Sequence, residues 1–231
     1  MIIEEVLDEL SFFLKGRKVV NLCMGVNYTS AVLDDRSVGI SNTIYDKEYP
    51  LGGKLAGMSA YDAASALGTS TERSVATAIM NALTVHPFGD QDPTTDSEGR
   101  LCVFGYSPNF HGKKFNKIYI YDFNVREEIV ERNVVLRPYS MFKGESCEVA
   151  VLFGSTLVNG TVDDILSKLS SDILILAGIS AIYAPLTLKR HGFTHVLKYF
   201  LSDRFTAFRV VCEGGGSDEL RKYIIRKYKK I

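Results

Sequence analysis

Three glycine-hydroxyl loops are the places in this sequence where chemistry could occur. They read Gly105-Tyr106-Ser107-Pro108, Gly154-Ser155-Thr156 and Gly178-Ile179-Ser180, and each follows a short apolar run. Glycine lets a backbone approach a ligand closely, and a nearby hydroxyl can hydrogen-bond it. A helix starting just beyond would add amide groups suited to an anion. Each loop alone has a plainer account, because glycine and serine also make good strand-to-helix turns and caps. Together the three point to one binding edge. Asp122 closes another apolar run downstream of Gly105. In dinucleotide-binding folds an acid so placed holds ribose hydroxyls. The Gly105 loop, however, lacks the further glycines of GxGxxG and carries Pro108, so Asp122 equally fits a turn cap.

The stretch Gly154 to Thr161, GSTLVNGT, is the most informative of these loops. Thr161 and Asp164 fit a capping box for a following helix, and Asn159-Gly160 suits a tight turn. That account leaves Ser155 and Thr156 without a structural duty. After Gly178, Tyr183 is placed either in a pocket or in the core. Other motifs are weaker. His191 and His195 have helical spacing for a shared metal, but Gly192 interrupts the helix between them. Gly214-Gly215-Gly216 lacks the GK[ST] of a phosphate loop. Acids and then many Lys and Arg predict a C-terminal helix over residues 217–230. No Ser-His-Asp arrangement or HExxH stands out, which counts against a hydrolase.

The elements that must position these loops follow from periodicity. Lys117 to Tyr121, Cys147 to Phe153, Asp172 to Ala177 and Val196 to Phe200 join Leu101 to Phe104 as strand-like runs separated by helices or loops. Near-continuous apolar strands of this kind predict a parallel sheet buried on both faces. All strand ends then lie on one edge, where ligands bind near a switch in strand order. The first half reads differently. Residues 2 to 14 form an amphipathic helix ending near Gly16. Three runs, Lys18 to Val26, Tyr28 to Leu33 and Val38 to Ile44, have links short enough for an antiparallel meander. An Ala-rich segment from Ser59 to Leu67 is also helical in pattern. Thr69 and Glu72 form a capping box for a helix with Val75, Ala76, Ile79 and Leu83 on one face. Its other side, Ser74, Thr77, Ala78 and Asn81, is small and uncharged, as for a surface packed against another part of the protein rather than water. Residues 86 to 99, rich in Pro, Gly and acids, form the linker.

Bulk properties narrow the function. The chain has 231 residues, 46% hydrophobic and 23% charged, with zero formal net charge. That balance excludes a broad nucleic-acid surface, which needs excess cations to neutralise phosphates. No apolar run reaches membrane-spanning length, so no membrane partner is expected. The acidic start Met1-Ile2-Ile3-Glu4-Glu5 is unlike a signal peptide, and a cytoplasmic location is expected. Cys23, Cys102, Cys147 and Cys212 lie within or beside apolar stretches, form no CxxC pair and are expected as reduced, buried thiols.

The order Gly25-x-Asn27-Tyr28-Thr29, Asp62-Ala63-Ala64, Ala78-Ile79-Met80-Asn81-Ala82-Leu83, the Gly105 loop, Gly154 to Thr161 and Gly178-Ile179-Ser180 resembles the putative heavy-metal chelation family. The resemblance spans nearly the whole chain. It implies a small α+β domain like the N-terminal domain of enolase, then a Rossmann-like domain, with a site in the cleft between them, so that the uncharged stripe carrying Asn81 should face the second domain. The sequence departs from that family's usual G-P-S-type loop in having Ile179 before Ser180.

The expected architecture is therefore α/β. A small antiparallel domain over residues 1–88 precedes a Rossmann-like parallel-sheet domain over residues 98–231. The expected cleft is lined by Asn81, Gly105, Ser107, Asp122, Gly154, Ser155, Thr156, Asn159, Gly178 and Ser180. These donors suit a small polar ligand, a metal ion or a metal chelate. The alternatives are a transferase using a nucleotide-like cofactor and an interaction module with no small-molecule site. A homodimer fits the fold class.

Overall fold

The structure, a computed structural model, describes residues 1–83, 89–95, 97–105 and 115–231. Helix α1 (Ile2–Lys15) buries Ile2, Ile3, Val6, Leu7, Leu10 and Leu14, the stripe its periodicity predicts, and ends at Gly16. Strands β1 (Val19–Met24), β2 (Tyr28–Leu33) and β3 (Val38–Asn42) follow as an antiparallel meander in the order β1-β2-β3. Helix α2 (Ala60–Ala64) is short and leads to α3 (Ser70–Ala82). The expected capping box opens α3. Thr69 Oγ1 accepts from the Glu72 amide at 3.1 Å, and the Glu72 carboxylate accepts from the Thr69 amide at 2.9 Å.

Helix α3 is buried from Arg73 to Ala82. Its small uncharged stripe corrects one expectation, because it faces β3 of its own half. Ser41 Oγ donates to the Ser74 carbonyl at 2.6 Å. A Cβ on Gly39 would lie 2.1 Å from the Ala78 carbonyl oxygen and 2.2 Å from the Ala82 amide nitrogen. Small neutral residues are there because helix and strand backbones touch. The second half meets the helix elsewhere, where Arg73 Nε donates to the Val158 carbonyl at 2.7 Å. Asn81 alone of the stripe reaches both halves, as shown below.

The larger sheet has eight strands. They are β4 (Arg100–Phe104), β5 (Lys117–Asp122), β6 (Ile129–Glu131), β7 (Val134–Pro138), β8 (Glu145–Phe153), β9 (Leu169–Gly178), β10 (His195–Leu201) and β11 (Ile224–Lys230), in the spatial order β11-β10-β9-β8-β4-β5-β7-β6. The six central strands are parallel; β6 and β11 are antiparallel edges. Counted along the chain, the parallel strands β7-β5-β4-β8-β9-β10 run 3-2-1-4-5-6, the doubly wound order. Strand order reverses between β4 and β8. Both side-chain rows are buried in β4 and in the C-terminal halves of β8 and β9. Cys102, Phe104 and Leu152 join a core cluster with residues of α1 and α3, and Leu101, Val103 and Val151 form a second cluster. The first cluster runs continuously through both halves of the chain.

Helices α4 (Ser155–Asn159), α5 (Val162–Lys168), α6 (Pro185–Arg190), α7 (Arg204–Cys212) and α8 (Ser217–Leu220) complete the second half. Three expectations are corrected. The C-terminal helix over 217–230 is only the four-residue α8. A 3-10 turn over Arg221–Tyr223 leads into β11, which pairs over seven residues from Ile224 opposite Leu201 to Lys230 opposite His195. The open edge of β10 offers a whole ladder to a segment rich in Ile and Tyr, and that outweighs helix propensity. The Thr161–Asp164 capping box does not form. Thr161 Oγ1 bonds Asn159 Oδ1 at 2.7 Å instead, while Asp164 is taken by Lys168 and Tyr139. The cysteines are paired, Cys23 with Cys212 and Cys102 with Cys147. Residues 189 and 45 positions apart are brought together by the fold, with Cα separations of 5.5 and 6.0 Å, which sequence spacing does not show. Among the described residues, no helix is long and apolar enough to cross a membrane.

Candidate functional site

The strand ends of the large sheet open into a cleft of about 1250 Å³. Its roof comes from the first half, with Tyr28 on β2 and Asn42 to Ile44 at the end of β3. Its floor comes from the ends of β5, β4, β8, β9, β10 and β11. The reversal of strand order between β4 and β8 lies within that floor.

Gly105, Gly154 to Thr156 and Gly178-Ile179 converge there, as the sequence predicts, and the structure explains the glycines. Gly105 has φ +106° and Gly178 φ +101°, a region that side chains strongly disfavour. A Cβ on either would lie 3.1 Å or 3.0 Å from the Phe153 side chain. The two glycines therefore make room for one ring between them. A Cβ on Gly154 would strike the Ser180 backbone at 2.2 Å, so this glycine seats one loop on another.

The hydroxyls divide by duty. Ser155, Thr156, Asn159, Gly105, Gly154, Gly178 and Asp122 line the cleft. Thr156 Oγ1 donates to the Phe153 carbonyl at 2.8 Å, and Asn159 Oδ1 accepts from the Thr161 amide at 3.0 Å. Asp122 accepts from the Asn124 amide at 2.7 Å, the turn-capping role the sequence left open. Asn81 and Ser180 lie outside the cleft lining and tie the halves together. Asn81 Nδ2 donates to the Ile40 carbonyl at 2.9 Å and the Ile179 carbonyl at 2.6 Å. Ser180 Oγ accepts from the Asn42 amide and donates to Asn42 Oδ1, each at 2.8 Å. Ser107 lies outside the described residues. His191 bonds Glu5 at 3.0 Å and His195 bonds Thr194 Oγ1 at 2.9 Å, so each has its own partner. Tyr183 is buried in the main core cluster.

Sequence reasoning missed the aromatic lining. Phe104, Tyr121, Phe123, Tyr139, Phe153 and Tyr199 all border the cleft. Phe104 stacks on Tyr121 with centroids 5.4 Å apart, and Phe123 on Tyr139 at 4.4 Å. Burial pushes the Tyr121 phenol up to about 12, helped by its bond to Glu145 at 2.5 Å. Burial likewise raises Tyr139, Tyr28 and Tyr199, so all four phenols are neutral donors at physiological pH. A signal was present: Phe104-Gly105, Tyr121-Asp122 and Phe153-Gly154 each end a strand on a ring.

The fold and site define a class: a two-part α/β protein with an aromatic-lined cleft at the ends of a doubly wound sheet. Family models described as "Putative heavy-metal chelation" match residues 4–84 and 90–230. The chain belongs to that family. Two solved structures of proteins with unknown function from the family are similar to it over their length. One, from Pyrococcus horikoshii, is 18% identical with a TM-score of 0.80, covering 100% of both chains. Another, from Desulfitobacterium hafniense DCB-2, is 17% identical with a TM-score of 0.75, covering 99% of each. These likenesses establish the shared fold. No curated protein matches the chain.

Among the described residues, no three His, Cys, Asp or Glu side chains gather to hold a metal ion. In the described lining, Asp122 is the one carboxylate; its other polar groups are amides, hydroxyls, phenols and two guanidinium groups, Arg221 and Arg226.

Proposed function

We propose that the chain binds a flat metal chelate in this cleft, the ligand bringing most of the metal's donors with it. The observation that carries the reading is the row of aromatic side chains along the strand ends, with Asp122 as its carboxylate. Rings offer stacking area to a conjugated ligand, and neutral oxygens and amides fix its orientation. A heavy metal held by protein alone calls for soft or imidazole donors, and the described lining has neither. A chelate supplies them. The family's description as one of heavy-metal chelation supports a metal as the cargo.

A second reading rests on a separate observation. The 3-2-1-4-5-6 order with Asp122 at the end of the second strand matches the arrangement in which dinucleotide-binding folds hold a ribose. A transferase using a nucleotide-like cofactor would use the same edge.

A thermal-shift screen separates the two. The probes are divalent metals alone, flat tetrapyrrole-like chelates with and without metal, and adenosine cofactors. A chelate at a hundred times its Kd adds about 2.7 kcal/mol of stability. The expected result is stabilisation by the metal-loaded chelate, weakened in Asp122→Asn and in Phe153→Leu. Stabilisation by adenosine cofactors alone would replace the chelate reading with the transferase one. No shift with any probe would refute both.

A further inference from the structure

The cleft is longer than one small ligand and differs chemically at its two ends. Its floor crosses six neighbouring strands, β5 to β11, which at roughly 4.8 Å per strand is about 24 Å. Its volume, about 1250 Å³, exceeds the roughly 300–1,000 Å³ of a usual small-ligand pocket. A ligand at the β4–β8 reversal occupies the half containing Asp122. The β10–β11 half is then left over, and its lining is of another kind.

That second half is built from Tyr28, Tyr199, Ser217, Arg221 and Arg226, over an apolar base that includes Ile224. Arg226 on β11 is the cross-strand partner of Tyr199 on β10. Its guanidinium carbon lies 5.1 Å from the Tyr199 ring centroid. Stacking of this kind holds the planar group in one orientation while leaving its N–H edge directed outward. Among the described residues, Arg226 has no ion pair with a carboxylate. Arg221 has one, with Asp218 at 3.3 Å, but the two side chains are 54% and 75% exposed. A surface pair so exposed contributes little and yields readily to a better anion. Tyr28 faces the same space from the first half, its phenol kept protonated by burial and by the neighbouring Tyr199. Two cations, two phenolic donors and a serine hydroxyl thus border one apolar surface. The opposite end carries Asp122.

We propose that the β10–β11 end of the cleft is a separate subsite for a small planar molecule bearing one oxyanion, a carboxylate or a phosphate. The oxyanion meets Arg226 and Arg221, and the planar body packs between Tyr28 and Tyr199. A guanidinium fork matches either oxyanion with two parallel hydrogen bonds. This rests on the cleft being a ligand site, but not on which ligand the Asp122 half takes. The protein would then hold two molecules side by side along one strand edge.

The test uses the full chain and isothermal titration with benzoate, phenyl phosphate, inorganic phosphate and the neutral isostere benzamide. The proteins are wild type, Arg226→Gln, Arg226→Lys and Asp122→Asn, each checked for an unchanged far-ultraviolet spectrum. Benzoate or phenyl phosphate is expected to bind, with Kd raised about tenfold or more in Arg226→Gln. Arg226→Lys should recover part of that loss, and Asp122→Asn should change nothing. A preference for benzoate identifies the oxyanion as a carboxylate, and one for phenyl phosphate as a phosphate. Binding of benzamide as tight as benzoate, equal affinity in Arg226→Gln, or no binding of either aromatic oxyanion overturns the subsite. Inorganic phosphate alone binding overturns the planar part of the proposal. Because the chelate depends on Asp122 and the oxyanion on Arg226, either reading can fail while the other stands.

Discussion

Replacing Lys198 with methionine should make the protein more stable, and the amount follows from its surroundings. Lys198 sits on β10 with only 6% of its surface exposed. Its Nζ donates to the Asn81 carbonyl at the end of α3, across a long 3.4 Å, and lies 6.0 Å from the Phe200 ring. Burial pulls its pKa from 10.5 to about 8. At about 1.4 kcal/mol per pH unit, keeping this ammonium charged costs the native state about 3 kcal/mol at neutral pH. Methionine has similar length and flexibility and no charge. Its cost is the lost bond to the Asn81 carbonyl, about 1 kcal/mol. The net gain is about 2 kcal/mol, or roughly 4–8 °C in Tm for a chain of this size. The pH dependence gives a second, sharper signature. Between pH 8 and 10.5 the unfolded chain keeps a proton that native Lys198 has released. Wild-type stability therefore rises through that window, and the rise disappears in Lys198→Met. The buried tyrosines act in the opposite sense, with raised native pKa values that remove stability as alkaline pH is reached, but they are common to both proteins and cancel in the difference. Urea titrations of both proteins at neutral and alkaline pH measure the effect. A variant less stable than wild type at neutral pH, or a difference between the two that is constant with pH, would refute the reasoning.

Two further substitutions test how α3 is held. Gly39→Ala places a methyl group 2.1 Å from a helix carbonyl oxygen and 2.2 Å from a helix amide nitrogen. Neither backbone can give way locally, so the loss should exceed about 3 kcal/mol in urea unfolding; a loss below about 1 kcal/mol would mean that strand and helix can separate. Asp46 accepts from the Ser70 amide at 2.8 Å and the Thr71 amide at 3.0 Å, at the start of α3. Desolvation would raise its pKa, but the Ser70 and Thr71 donors outweigh it and hold the carboxyl below the usual carboxylate range. Its contribution is therefore fully present above the ordinary 3.8 and is lost as pH falls toward the lowered native value. Asp46→Asn should cost about 1 kcal/mol at neutral pH, the range of a helix cap, and the difference from wild type should shrink in acid; a difference that grows in acid would be the wrong sign.

The parts legible in the sequence were those written in local pattern. The α1 stripe, the Thr69–Glu72 box and the three short-linked strands depend on neighbours a few residues apart, and each formed as read. So did the strand ends, because an apolar run closed by glycine or aspartate has few other structures to adopt. The misreadings have a common physical cause. Over residues 217–230 the charge pattern favours a helix, yet the open β10 edge decides, and no local pattern reports an open edge. The small face of α3 was recognised as packed, but its partner is set by the approach of Gly39, which is distant in sequence. Pairing of Cys23 with Cys212 is beyond reach for the same reason.

The candidate site shows the same division between position and purpose. Its place could be argued from alternation of strands and glycines alone. Its chemistry could not, because the glycines invited a ligand-contact reading while Phe153 is what stands against Gly105 and Gly178. A glycine reports that something is close, not what it is. The same ambiguity applies to Asn81 and Ser180, whose Nδ2 and Oγ join β3 and α3 to the end of β9. That joint still bears on the cleft. Asn42 and Ser180 share two hydrogen bonds, and Asn42 also lines the cleft roof. Anything that parts the two halves at Ser180 therefore moves the roof over the aromatic floor. The Asn42–Ser180 pair that joins the halves also sets how wide the cleft stands open.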